Sequence, residues 1–159
     1  MPISMKVGHE EFLLRVCGVL INQGKILLHR TKSEKGWVLP GGRAEINEES
    51  YQTVVREFKE ELNLDVTVQR LLGIIENFNA YGNENLHEFG IYYLMECKEE
   101  LVINDKEFIG NEEDINLIFK WIDINEIKGM NIYPRSLKGL IQNINLDKGI
   151  KHLINNDLE

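Results

Sequence analysis

Cysteines, basic residues and long apolar runs are all scarce in this chain, and each scarcity excludes something. There are two cysteines, Cys17 and Cys97. Both lie in apolar, strand-like runs without a CxxC spacing, so buried free thiols are expected and a disulfide framework is not. Lysine and arginine number 18 against 26 acidic residues, a formal net charge of −8. That balance argues against a basic nucleic-acid track. The longest apolar run, FLLRVCGVLI, is broken by Arg15 and falls far short of a membrane span. The start, MPISMKVGHEE, lacks an apolar signal core, so a cytoplasmic location is the expectation. With no internal repeat, low-complexity tract or linker, a single domain over residues 1–159 is expected.

What is present is one dense stretch from Gly41 to Leu64, GGRAEINEESYQTVVREFKEELNL. A helix is predicted over Glu48 to Leu62. At about 100° per residue, Tyr51, Val54, Val55, Phe58 and Leu62 share an apolar stripe. Glu57, Glu60 and Glu61 gather on another face, since residues three and four apart are neighbours. Three like charges repel there, so the cluster asks for a use. Hard divalent cations such as Mg²⁺ or Mn²⁺ take oxygen ligands and complete their shell with water and substrate phosphate. A solvated acidic face is the competing reading. Arg56 can reach Glu60 one turn on and orient it. Before the helix, Trp37 to Gly42 reads as a rigid turn whose glycines let backbone approach a ligand closely. Asn47 is the expected N-cap, and Asn63 is expected to end the helix in the left-handed conformation.

These residues resemble the signature of the Nudix hydrolases. That signature is a glycine, five residues, a glutamate, seven residues, then Arg-Glu-apolar-any-Glu-Glu-any-Gly-apolar. The matching positions are Gly42, Glu48, Arg56, Glu57, Phe58, Glu60, Glu61 and Leu64. Asn63 replaces the last glycine, a departure that removes no chemical group. The resemblance implies an α/β/α sandwich with a mixed β-sheet between helices. It also implies hydrolysis of a nucleoside diphosphate linked to another group. Glu57, Glu60 and Glu61, helped by the Gly41 carbonyl, would be ligands of Mg²⁺, with Mn²⁺ an alternative. Glu45 could join them or be an exposed turn residue. Arg56 would orient the acids, and Glu48 would tie loop to helix.

The proton acceptor is left open between a helix glutamate, Glu88 beside His87, and the acidic run Glu112-Glu113-Asp114. Arg30, Gly42, Asn77 and His87 are the candidates for substrate contact. Lys32 and Lys35 belong to a polar loop, Thr31 to Gly36, that reads as solvated or as a phosphate-facing flap. Trp37 is expected to pack against the glycine turn rather than stack on a base. Strands are predicted over Glu11 to Ile21, Lys25 to Arg30, Asp65 to Phe78 with a bulge at Gly73, Phe89 to Cys97, and Leu117 to Ile124. Loops are expected over Asn79 to Asn85 and Lys98 to Ile115. Leu137, Leu140, Ile141 and Ile144, capped by Ser136, predict a helix. A second short helix is expected over Asp147 to Asn155.

The expected partner is a small nucleotide, with no membrane and no nucleic acid; a homodimer is left open. No separate N-terminal domain is apparent, which favours a small nucleotide over ADP-ribose. Two other readings stay open: a catalytically silent nucleotide sensor, and an RNA 5′-end pyrophosphohydrolase. The complete acid set weighs against the first, and the net charge against the second.

Overall fold

The computed structural model describes residues 1–112, 116–146 and 148–158, with the backbone alone for Tyr81. Along these residues run β1 (Ser4–Val7), β2 (Glu10–Asn22), β3 (Lys25–Arg30), β4 (Gly41–Arg43) and α1 (Ser50–Leu62). Then follow β5 (Val66–Tyr81), β6 (Glu84–Cys97), β7 (Phe108–Ile109), β8 (Ile118–Asp123), α2 (Leu137–Gln142) and β9 (Lys151–Asn156). The sheet order is β7-β8-β3-β2-β6-β5-β9, with β1 and β4 also paired to β2. β2 runs parallel to β6 and β9 parallel to β5, while the other pairs are antiparallel, so the sheet is mixed.

Burial on both faces of β2 explains its nearly continuous apolar run. Successive side chains point to opposite faces. Val16 and Leu20 pack with Val54 and Phe58 of α1. Cys17 and Val19 pack with Leu137, Leu140 and Ile141 of α2. One helix per face makes the α/β/α sandwich that the resemblance implies. No helix among the described residues is long and apolar enough to cross a membrane.

The feature that creates the site is a fork. β2 and β3 pair only through Ile21 with Ile26 and Asn22 with Lys25, beside their turn. Beyond those two pairs the strands part. β4 enters the gap, pairing Gly41, Gly42 and Arg43 with Cys17, Val16 and Arg15. His29 of β3 bridges to Val38 on the other side.

The structure corrects several expectations. α1 starts at Ser50, and its N-cap is Glu49, which forms a capping box with Gln52. Asn47 is not the cap; it holds a positive φ of 67° in the preceding turn. Asn63 does end the helix in the left-handed region, at φ 54°. Tyr51 is exposed rather than buried, and Thr53 and Glu61 join Val54 and Phe58 on the buried face. The acids therefore do not all face away from the core: Glu61 lies on its border.

β5 and β6 extend further than predicted and meet at Gly82 and Asn83. The expected loop over Asn79 to Asn85 is a tight hairpin turn. Register shifts fall between Val68 and Arg70 and between Leu71 and Gly73, matching the expected bulge. A Cβ on Gly73 would sit 2.4 Å from the Lys151 carbonyl oxygen, so that glycine admits β9. β9 itself replaces the second short helix predicted over 147–155; Asp147 lies outside the described residues. Alternate burial along KHLINN, with Asn155 in and Ile154 out, is a strand period of two.

Candidate active site

The acids of α1 are organised by one guanidinium. Arg56 Nε donates to Glu48 Oε2 at 2.8 Å and Nη2 to Glu48 Oε1 at 3.1 Å. Its Nη1 donates to Glu57 Oε1 at 3.0 Å and to Glu60 Oε2 at 3.2 Å. Its Nη2 also reaches the Arg43 carbonyl at 3.3 Å, which fastens β4 to the helix. Arg56, with help from the Thr53 hydroxyl, pulls the Glu48 carboxyl down to about 2. Glu48 is thus a permanent anion in the joint between loop and helix.

Glu57 lies under the glycine pair. A Cβ on Gly42 would fall 2.2 Å from Glu57 Oε1, so only glycine allows this contact. Gly41 is equally constrained, its missing Cβ facing the Val16 carbonyl oxygen at 2.1 Å. Burial raises the Glu57 pKa against the opposing pull of Arg56.

Glu61 is the most perturbed acid. It is 5% exposed, and its Oε2 is buried without a hydrogen-bond partner. Burial, reinforced by Glu57, pushes its carboxyl up to about 8; Arg15 opposes the rise. Its backbone carbonyl accepts from the Asn111 amide at 2.7 Å, which brings the loop before β8 against α1. Glu112, the next residue of that loop, raises the pKa of both Glu57 and Glu61.

Arg56, Glu57, Glu60, Glu61 and Glu112 line one cleft of about 370 Å³, together with Gly41, Arg43, Glu45, Arg15 and His29. The volume sits at the small end of ligand pockets. As oriented, no three His, Cys, Asp or Glu side chains among the described residues form a ready-made metal cage. Mg²⁺ does not need one, since it keeps several waters and takes one or two carboxylates plus substrate phosphate. The lone buried oxygen of Glu61, beside Glu57 and Glu60, is the donor chemistry that fits a hard divalent ion.

Glu88, His87, Asn77 and Arg30 lie apart from the lining of this cleft. Glu88, on β6, is half-buried and in the electrostatic reach of Arg15 and Arg43; burial raises its pKa. His87 stacks on Phe78 at 4.3 Å and meets Phe12 edge-on at 5.1 Å. Asn77 is a buried acceptor for Asn155 Nδ2 at 2.9 Å, a cross-strand amide pair rather than an open contact. Arg30 pairs with Glu107 at 3.3 Å and lies over Trp37, 5.2 Å from its ring. Trp37 packs against the core. Glu45 pairs with the Met1 ammonium at 3.2 Å. Glu113 and Asp114 lie outside the described residues. Sequence reasoning missed Arg15 and His29. The signal was there: a basic residue inside the apolar run of β2, and a histidine inside KILLHR.

This fold and this acid-bearing helix define a known class. The family model for the NUDIX domain matches residues 12–140, and the chain belongs to the Nudix hydrolase family. Among curated proteins, it is 39% identical over 78 residues to the putative ADP-ribose pyrophosphatase YjhB of Bacillus subtilis. That match covers 48% of this chain and 38% of the relative, so the chain spans well under half of it. It is 25% identical over 124 residues to the uncharacterized Nudix hydrolase YvcI of the same organism, covering 77% of this chain and 74% of the relative. Among solved structures, a Nudix hydrolase from Nitrosomonas europaea superposes with a TM-score of 0.61 at 21% identity, covering 91% of this chain and 79% of that one. The MutT protein of Bacillus halodurans gives 0.60 at 19%, covering 92% and 93%. These likenesses show the shared fold.

Proposed function

We propose that this protein is a divalent-metal-dependent pyrophosphohydrolase acting on a small nucleoside diphosphate derivative. One observation carries the reading. Glu61 presents a buried, unpartnered carboxylate oxygen to a cleft that also holds Glu57, Glu60 and Glu112. An uncompensated buried acid costs stability, and a cation at that oxygen removes the cost. The residues that would hold Mg²⁺ or Mn²⁺ are Glu57, Glu60 and Glu61, with the Gly41 carbonyl alongside.

When bound, such an ion neutralises diphosphate charge and eases deprotonation of water. The chain supplies the rest. Arg56 fixes Glu57 and Glu60 through shared hydrogen bonds. Glu48 anchors Arg56 in turn, so the acids are set before substrate arrives. We assign proton acceptance from the attacking water to the Glu112 carboxylate, because its loop is bonded to α1 and it lines the cleft. Glu88, held beside Arg15 and Arg43, is assigned to charge balance.

The test is a nucleotide panel with Mg²⁺ and with Mn²⁺. It should include nucleoside triphosphates, sugar nucleotides, dinucleoside polyphosphates and ADP-ribose; the printed name of the YjhB relative puts ADP-ribose at its head. Metal-dependent phosphate, pyrophosphate or nucleoside monophosphate release supports the reading. Nucleotide binding without turnover across the panel would replace it with a sensor.

A further inference from the structure

Three arginines line the cleft: Arg15, Arg43 and Arg56. Two are committed. Arg56 is held by Glu48, Glu57 and Glu60. Arg43 pairs with Glu11 at 3.1 Å. Arg15 has no carboxylate within ion-pair distance among the described residues. Its Nε meets Cys17 Sγ at 3.2 Å and its Nη2 approaches the Leu39 carbonyl at 3.4 Å. Burial pushes the Cys17 thiol up to about 11, so Cys17 is no anion and a weak acceptor. The five donors of Arg15 thus have two weak hydrogen-bond partners, with Glu88 and Glu61 in electrostatic reach but not hydrogen-bonded to it.

His29 lies close enough to feel Arg15. It is 5% exposed and lines the same cleft, with the Leu39 backbone carbonyl beside its ring. Burial, reinforced by Arg15 and opposed by the Leu39 backbone, holds its pKa down at about 3, so the imidazole is neutral and carries one N–H. Arg15 stands on β2 and His29 on β3, the two prongs of the fork. Both enter the cleft from the sheet, whereas Glu57, Glu60 and Glu61 enter from α1.

We propose that Arg15 and His29 form an anion floor in this cleft, donating to the oxygens of a substrate phosphoryl group. Arginine suits this task, because its planar fork matches phosphate oxygens in pairs. The ligand feature recognised is the P–O–P unit, not the base or sugar. Loss of Arg15 should therefore weaken every nucleotide of a panel by a similar factor. The inference rests on the pyrophosphohydrolase reading above.

The experiment uses inorganic pyrophosphate as probe, with Mg²⁺ present, on the whole chain. Calorimetry compares wild type with Arg15→Gln, Arg15→Lys and His29→Gln. Arg15→Gln should weaken pyrophosphate binding by about tenfold to a hundredfold, the range of a charged hydrogen bond. Arg15→Lys should recover part of it, and His29→Gln should lose less. KM for hydrolysed nucleotides should rise by the same factor as the binding constant. Because Arg15→Gln can also disturb folding, arginine-¹⁵N-labelled wild type is titrated in parallel. The Arg15 Nε–H signal, assigned through Arg15→Lys, should move as pyrophosphate saturates. Saturation with that signal unmoved, or unchanged affinity in folded Arg15→Gln, overturns the proposal and leaves the hydrolase reading standing. Absence of both pyrophosphate binding and turnover in wild type overturns both.

Discussion

Glu61→Gln separates what the acid does for catalysis from what it costs the fold. In the metal-free protein, Glu61 ionises near 8 against an ordinary value of 4.5. The folded state therefore holds a proton that the unfolded chain has already released. Stability falls as pH rises wherever the native state binds more protons. The window opens above 4.5 and closes above 8. Between pH 5 and pH 8 the loss integrates to roughly 3–4 kcal/mol, taking about 1.4 kcal/mol per pH unit. Glutamine keeps the shape and removes the titration. In EDTA, the variant should match wild type near pH 5 and exceed it by that amount near pH 8. For a chain of this size the gap corresponds to about 10 °C in melting temperature. Thermal melts in EDTA across pH 5 to 8 read it directly. Adding Mg²⁺ at pH 8 should raise the wild-type melt more than the variant's, while the variant loses orders of magnitude in turnover. Parallel pH profiles for the two proteins in EDTA would refute the assignment of Glu61 as a strained, ion-awaiting carboxylate.

Three further outcomes are expected. Phe58→Ala removes a fully buried ring between α1 and the sheet and should cost about 3–5 kcal/mol in denaturant unfolding; an unchanged midpoint would mean the buried face is wrong. Gly42→Ala should leave the melting temperature within a few degrees yet cut turnover by about a hundredfold, because the new methyl displaces the Glu57 carboxylate; retained activity would show that Glu57 is dispensable. Asn63→Gly should change stability by less than about 1 kcal/mol, since the position already holds the left-handed conformation; a larger loss would assign the Asn63 amide a specific bond.

Local signals carried much of this architecture into the sequence. The spacing of Arg56, Glu57, Glu60 and Glu61 fixes them on one helix whatever surrounds it, and Asn63 needs only its own backbone preference. The bulge at Gly73 was readable for the same reason. What stayed hidden depends on distant partners. Asn47 has good N-cap chemistry, but Glu49 and Gln52 satisfy each other and win the cap. Tyr51 falls in the apolar stripe by angle, yet the helix is rolled so that Thr53 and Glu61 face inward. The strand at Lys151–Asn156 exists because β5 offers it an edge, which no window of its own residues reveals. Arg15 was visible as a charge within an apolar run, but its place in the cleft required the fork and the β4 pairing.

The fork between β2 and β3 sets a limit on how this domain can change. Their ladder closes after two residue pairs, and the glycine strand occupies the space where more rungs would form. A substitution that strengthened zippering of the hairpin would compete with β4 for the same edge of β2. It would expel the segment that shelters Glu57 and draw Arg15 and His29 together. In this domain a better-formed sheet would be a closed one, and the unmade rungs are the room in which the chemistry happens.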